Sequence, residues 1–301
     1  RCEKAGDSMP YGKAIELFLV NGSPDSIVTA ELSNWNGKAI KIPRIDVPNC
    51  GREDITQAGV YFLFCKGDDG TEAVYIGEAE NVKDRLVQHI RDYQAEKEAY
   101  YWSTAVIFIG RDLNKALIRY LENSLVTMAR SCNRYTVLTK NTYRNTVMKE
   151  SQIAVMDEFI DNVKVLINAL GYKVLEPVLS TQPQNASALD HEMLQISTGT
   201  VMAQGKVTTE GFVVLKDSTV DPVSRKSLAQ GVVKLRTKYF QGGQVKDGKL
   251  TEDILFSSSS TAADFLLGYS ASGPQTWRTK DGRTLKELES DALQTQGASG
   301  T

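Results

Sequence analysis

A chain of 301 residues is long enough to hold two domains, each with a sizeable core. Its 35 Lys and Arg against 37 Asp and Glu give a net charge of -2, so overall charge does not mark a polyanion binder. No run approaches the about 20 apolar residues that span a bilayer, and Cys2, Cys50, Cys65 and Cys132 are too widely spaced for a zinc ribbon or a disulfide framework, so a soluble protein of a reduced, cytoplasmic compartment is expected.

Nothing at the start has the pattern of a signal peptide; residues 1–8 read as leader or added sequence ahead of Met9. Residues 14–20 and 27–32, separated by Asn21-Gly22-Ser23-Pro24-Asp25, predict an opening hairpin. Residues 39–44 predict a short strand stopped by Pro43. Trp35, just before it, reads more readily as a core or edge anchor than as a base-stacking ring, and no chemistry is visible in this segment. Two runs rich in β-branched, aromatic and aliphatic residues follow, 59–64 and 74–77, flanking a polar turn at 66–70. They predict a hairpin in which Tyr61 and Tyr75 each lie near a glycine, Gly59 and Gly77.

Residues 81–91 predict a helix with Val82, Leu86 and Ile90 on its apolar face and Arg85 and His89, four residues apart, on an adjoining one. Two phenols, a guanidinium and an imidazole thus come from one hairpin-helix unit, a set suited to phosphodiester chemistry. Residues 102–109 predict a central strand and 113–128 a helix whose one internal acid, Glu122, borders the apolar face; a charge placed there calls for a partner or a metal. From Arg111 to Lys149 eight basic residues stand against two acidic ones, a local excess that could hold a polyanion. Residues 134–142 predict a short extended piece, 153–170 an amphipathic helix closed by Gly171, 173–175 a brief strand, and 181–187 a linker.

A second module is expected from about 196 to 289. A serine or threonine of the run 257–261 reads as the N-cap of a helix through Ala262-Ala263-Asp264-Phe265-Leu266-Leu267. A Trp277-bearing strand and a final hairpin at 281–285 follow. Trp277 beside Arg278 could stack on a base and contact phosphate, although core packing is the weightier reading.

Gly59-Val60-Tyr61, Tyr75-Ile76-Gly77, Arg85, His89 and Glu122 on a later helix, in this order, resemble the GIY-YIG nuclease domain over roughly residues 57–149, with Val60 where the family name has Ile. The segment before it, with Asn34-Trp35-x-Gly37-Lys38 and Ile42-Pro43-Arg44, resembles the segment preceding the nuclease in one bacterial subgroup. The second module is similar to the uncharacterised C-terminal domain of such proteins and to RAMA modules of restriction and modification systems. The resemblance implies a metal-dependent endonuclease that leaves 5′-phosphate and 3′-hydroxyl ends, acting on DNA in restriction or defence against foreign or modified DNA.

Its site residues carry over as Tyr61, Tyr75, Arg85, His89, Glu122 and Asn141, the last matching a late asparagine that has Asn133 and Asn145 nearby. Glu122 would hold one Mg²⁺ or Mn²⁺, because no second carboxylate stands in register and Mg²⁺ keeps several of its waters. Arg85 would bind the scissile phosphate bidentately. Tyr61 is the candidate general base, its phenolate stabilised by Arg85 against an ordinary pKa of about 10. Tyr75 would position water or phosphate, the two tyrosines being interchangeable, and His89 would be a hydrogen-bond partner or proton shuttle. Lys115, Arg119, Lys140, Arg144, Trp277 and Arg278 are candidate nucleic-acid contacts.

The expected class is α/β (α+β), a small mixed sheet flanked by helices. The expected order is an N-terminal strand-rich extension (1–56), the nuclease domain (57–149), a connecting helix and linker (150–195), a DNA-recognition domain (196–290) and a tail (291–301). Double-stranded DNA is the first expected partner, with no membrane, and a homodimer would suit a symmetric double-strand cut. The alternatives are a non-catalytic nucleic-acid-binding protein or a nuclease for single-stranded DNA or RNA.

Overall fold

The computed structural model describes residues 12–66, 72–140, 142, 147–178 and 192–297. The chain divides into two units, Arg1–Pro177 and Val178–Thr301, both of mixed α and β structure.

In the first unit, β1 (Ile15–Leu19), β2 (Val28–Leu32) and β3 (Lys38–Pro43) run antiparallel and continue, through β3 against β6, into the sheet that carries the tyrosine motifs. With β4 (Gly59–Lys66), β5 (Glu72–Ala79), β6 (Trp102–Ile109) and β7 (Thr136–Val137) the order is β1-β2-β3-β6-β4-β5-β7, and β6 is central. Among the described residues only β5 and β7 pair in parallel. Residues 12–56, expected as an extension, thus supply three of this sheet's seven strands.

Strand alternation sorts the two faces. Val60, Phe62 and Phe64 pack toward α2 (Lys115–Cys132) and α3 (Glu150–Ala169), while Tyr61, Leu63 and Cys65 join the core under α1 (Val82–Gln94). The apolar stripe of α3 (Met156, Phe159, Ile160, Val163, Leu166, Ile167) is buried in this core, each large side chain contributing roughly 1.5–3 kcal/mol, so the helix expected as a connector is a layer of the unit. Trp35 meets the Phe159 ring edge-on at 4.8 Å. The strand expected at 173–175 is a turn instead: Gly171 takes φ +94°, Glu176 N donates to Lys173 O, and Val174 and Leu175 fold back into the core.

The second unit has a four-stranded antiparallel sheet, β8 (Leu194–Ser197), β9 (Met202–Thr208), β10 (Gly211–Val214) and β13 (Ile254–Phe256), in the order β13-β10-β9-β8. Helix α4 (Gln230–Gln241), the small hairpin β11 (Val245–Lys246) and β12 (Lys249–Leu250), α5 (Ser259–Leu267), α6 (Gly273–Thr276) and α7 (Leu285–Gly297) complete it. Ser258 caps α5, its Oγ accepting from Thr261 N at 3.1 Å. The expected Trp277 strand and final hairpin are reduced to isolated antiparallel bridges: Arg278 pairs with Gln195 of β8 and, across the turn at 279–282, with Thr284, while Leu285 N donates to Trp277 O. Pro274 starts the short helix α6, Trp277 caps its end, and Thr284 with Glu287 makes a capping box that opens α7. Among the described residues no helix is long and apolar enough to cross a membrane.

Candidate active site

The site is built where β4 and β5 pair. Tyr61 stands opposite Gly77 in the register, and a Cβ on Gly77 would come within 2.5 Å of the Tyr61 hydroxyl. A Cβ on Gly59 would strike the Phe108 carbonyl oxygen on β6. The two glycines therefore keep the sheet closed and leave room for the phenol. The Tyr61 and Tyr75 rings lie nearly parallel with centroids 6.3 Å apart.

Helix α1 starts at the N-cap Asn81, whose side chain accepts from Asp84 N. This start sets Arg85 one turn in and His89 two. Val82, Leu86 and His89 form the buried stripe, so His89 lies on the sheet-facing side, fully enclosed. Its Nε2 is 2.9 Å from the Tyr61 hydroxyl and its Nδ1 is 2.7 Å from Glu98 Oε1. With Glu98 ionised, Nδ1 carries the proton and donates to Glu98, and Nε2 accepts from the Tyr61 O–H. Burial, with the Arg85 and Arg44 guanidiniums nearby, lowers the His89 pKa to about 3, so the imidazole is neutral.

The Arg85 guanidinium lies close enough to both phenols for its charge to act on each. It draws the pKa of each down, as the sequence suggests, but burial outweighs it: Tyr61 is raised well above 10.0 and Tyr75 is raised too. The expected phenolate at Tyr61 is thus overruled by desolvation, and in the free protein the group is a neutral phenol. Its hydroxyl faces His89 Nε2, the group placed to accept its proton.

Glu122 projects from α2, which starts at the N-cap Asn114. It is 5% exposed, and its Oε2 is buried without a hydrogen-bond partner. Burial and the neighbouring Glu78 raise its pKa to about 7, with Lys115, Arg119 and Arg85 pulling the other way. Glu78 corrects the expectation that no second carboxylate is near. Lys115 Nζ lies 2.9 Å and Arg119 Nε 3.8 Å from it, so its charge is already matched. Among the described residues no group of three or more His, Cys, Asp or Glu could hold a metal. The donor set fits a hard divalent cation on one carboxylate, Glu122, with water filling the remaining positions.

Pairing of β7 with β5 stops at Val74, and beyond it Thr139 takes over: its Oγ1 accepts from Ile76 N at 2.9 Å and donates to Ile76 O at 2.7 Å. Lys140 follows, exposed. Asn141 and Arg144 lie outside the described residues. Trp277, in the second unit, is fully buried against Phe212 with its Nε1 donating to Ser259 O, so it offers no free face to a base. Arg278 is exposed and donates to Gly282 O.

Sequence reasoning missed Glu98, Glu78 and Thr139. Glu98 lies nine residues past His89 in a stretch without periodicity, and the only available signal was an acid close in sequence to the histidine.

Residues 194–289 match a family model described as a domain of unknown function, DUF4357, and the stretch lies within the second unit. No curated protein and no solved structure matches the chain.

Proposed function

We propose that the first unit is a GIY-YIG-type, metal-dependent endonuclease that hydrolyses phosphodiester bonds in DNA. One observation carries this reading. The Tyr61 hydroxyl is held between His89 Nε2 and the Arg85 guanidinium, in a site whose buried Glu122 carboxylate keeps an oxygen free.

In this reading Arg85 takes the scissile phosphate, a role its planar fork suits. A water beside Tyr61 attacks phosphorus in line. As the new P–O bond forms, the water's proton passes to the Tyr61 oxygen while Tyr61 gives its own proton to His89 Nε2. The bond from phosphorus to the 3′ oxygen breaks with its electron pair on that oxygen, which solvent protonates, leaving a 5′-phosphate and a 3′-hydroxyl. Glu98 steadies the imidazolium that forms for that moment, countering the low basicity that burial imposes on His89. A divalent cation held by Glu122 would supply Lewis-acid stabilisation of the charge on the phosphorane. Restriction or defence against foreign or modified DNA is the proposed setting, with the second unit as the recognition module. Cys50, Cys65 and Cys132, buried as free thiols, suit a reducing compartment.

The test is cleavage of plasmid, single-stranded DNA and RNA with Mg²⁺ or Mn²⁺, on unmodified and modified DNA, comparing wild type with Glu122→Ala. Metal-dependent nicking that falls at least about 10³-fold in the variant is expected. Equal inertness of both proteins on every substrate, with binding retained, would turn the reading to a non-catalytic nucleic-acid-binding protein.

A further inference from the structure

The N-terminal strands deliver to this site a cation that the mechanism above does not use. Arg44 follows Pro43 in the 3-10 helix Arg44–Asp46 and is 8% exposed. Its guanidinium carbon lies 5.1 Å from the ring centroid of Tyr93, 4.7 Å from that of Tyr101 and 4.8 Å from that of Trp102. Three ring faces attract the charge but accept no in-plane hydrogen bond, and Nη1 is left buried without a partner. No ion pair holds Arg44 among the described residues. A cation enclosed at such cost is normally matched by an anion close at hand.

The groups that feel it are those of the proton path. Arg44 draws down the pKa of Glu98 and of His89, and that of the buried Cys65 thiol beside them. Glu98 needs that help: desolvation first, and Asp92 after it, push its carboxyl up on balance, while Arg85, Tyr100 and, least of these, Arg44 pull it down. On the other side of His89 stand Tyr61, Tyr75 and Arg85.

We propose that Arg44 is a positioning residue for proton transfer from Tyr61: clamped by Tyr93, Tyr101 and Trp102, it keeps Glu98 ionised, and ionised Glu98 holds His89 in the tautomer whose Nε2 accepts the Tyr61 proton. The inference rests on the reading of Tyr61 and His89 as a proton-transfer pair. If Glu98 were protonated, its O–H would donate to Nδ1, and His89 would then present Nε2–H to the Tyr61 oxygen, a donor where the reaction needs an acceptor. Arg85 is the stronger pull on Glu98 in the free protein, but a bound phosphate would neutralise its charge. Arg44 is stacked among three aromatic rings, which do not neutralise it, and keeps its charge when a phosphate is bound.

The experiment uses the full chain labelled with ¹⁵N in histidine. With two histidines in the sequence, His89 and His191, two-bond nitrogen–proton correlations report the His89 tautomer directly and without catalysis. Wild type is expected to show Nδ1 protonated and Nε2 bare at pH 7. Arg44→Met, which keeps length and apolar bulk, should move His89 toward Nε2–H or imidazolium and shift the acid limb of the cleavage profile up by roughly one pH unit, a tenfold change in the ionised fraction. Arg44→Lys, which keeps the charge, should hold the wild-type tautomer. A wild-type His89 with Nε2 protonated overturns the proposal at once, and so does a folded Arg44→Met protein with wild-type tautomer and acid limb. Should Arg44→Met not fold, Tyr101→Leu takes its place, since that ring is 55% exposed: a smaller movement of the same sign supports the proposal and no movement overturns it. If no substrate is cleaved while the tautomer still follows Arg44, the positioning stands and the nuclease reading falls.

Discussion

The two units treat buried polar groups in opposite ways. In the second, Arg236 is 3% exposed yet donates to Ser224 Oγ and to the carbonyls of Phe265 and Asp221, and the Trp277 indole donates to Ser259 O. In the first, Arg44 Nη1, Glu98 Oε2, Trp102 Nε1 and Glu122 Oε2 are all buried with no hydrogen-bond partner. Each such atom costs about 1–3 kcal/mol. Three of the four belong to the Arg44 cage and the Glu98 carboxyl behind His89, and the fourth is the free oxygen of the proposed metal ligand. Gln244 Oε1 in the second unit and Asn168 Oδ1 in the first are isolated cases. The difference teaches that in the first unit unpartnered groups gather around His89 and at Glu122, the place of the proposed site, while in the second unit the large buried polar side chains are matched as it folds.

The comparison breaks most visibly if the second unit's core does not depend on its satisfied groups. Trp277→Ala removes a fully buried ring packed 4.4 Å from that of Phe212 and leaves Ser259 O without its donor. A loss of about 3–5 kcal/mol is expected, a large part of the 5–15 kcal/mol that holds a typical domain. In a thermal melt this should lower or abolish the second unit's transition. A loss below about 1 kcal/mol would mean that Trp277 is not the anchor its burial suggests, and would reopen it as a contact residue.

Next in size is a gain. The pKa of Glu122, raised from 4.5 to about 7, lies above the unfolded value, so folding favours its protonated form. The associated stability is fully present below pH 4.5 and is lost as pH rises through 7. Glu122→Gln cannot ionise, and at pH 8 with chelator it should be more stable than wild type by about 1–3 kcal/mol, the gain vanishing by about pH 4.5. Adding Mg²⁺ should raise the melting temperature of wild type and leave the variant unmoved. A variant no more stable than wild type at pH 8 would make Glu122 as well matched as Arg236.

What was legible in the chain was what short spacing controls. The Tyr61 and Tyr75 strands, the helix from Asn81, the step from Arg85 to His89, Glu122 at the border of an apolar stripe and the serine cap of α5 all follow from neighbours within a few residues. The mixed α and β class followed from those elements. Asp281-Gly282, a strong turn signal, masked the Thr284–Glu287 capping box that makes α7 a helix. The remainder depends on chain crossings that no local pattern encodes. Arg44 reaches the site only because β3 pairs along β6, which begins at Trp102. Glu98 meets His89 through a loop, and Glu78 comes under Lys115 and Arg119 because α2 packs on β5. The neutral state of Tyr61 is a matter of burial, and a sequence that shows Arg85 beside two phenols shows the cation without the desolvation that outweighs it.

The smallest expected effect tests whether the two units can be altered separately. Ser258 sits at φ -159°, outside the helix, and its Oγ accepts from Thr261 N, one of the amide groups that a helix start leaves without an internal partner. Ser258→Ala should cost the second unit about 1 kcal/mol and Ser258→Gly only a few tenths, because glycine enters the cap conformation freely and lets water reach the amides. The first unit's transition and the rate of cleavage should not move. If Ser258→Ala lowered cleavage in proportion to its loss of stability, the unpartnered groups of the first unit would have to be read as completed, in part, by the folding of the second.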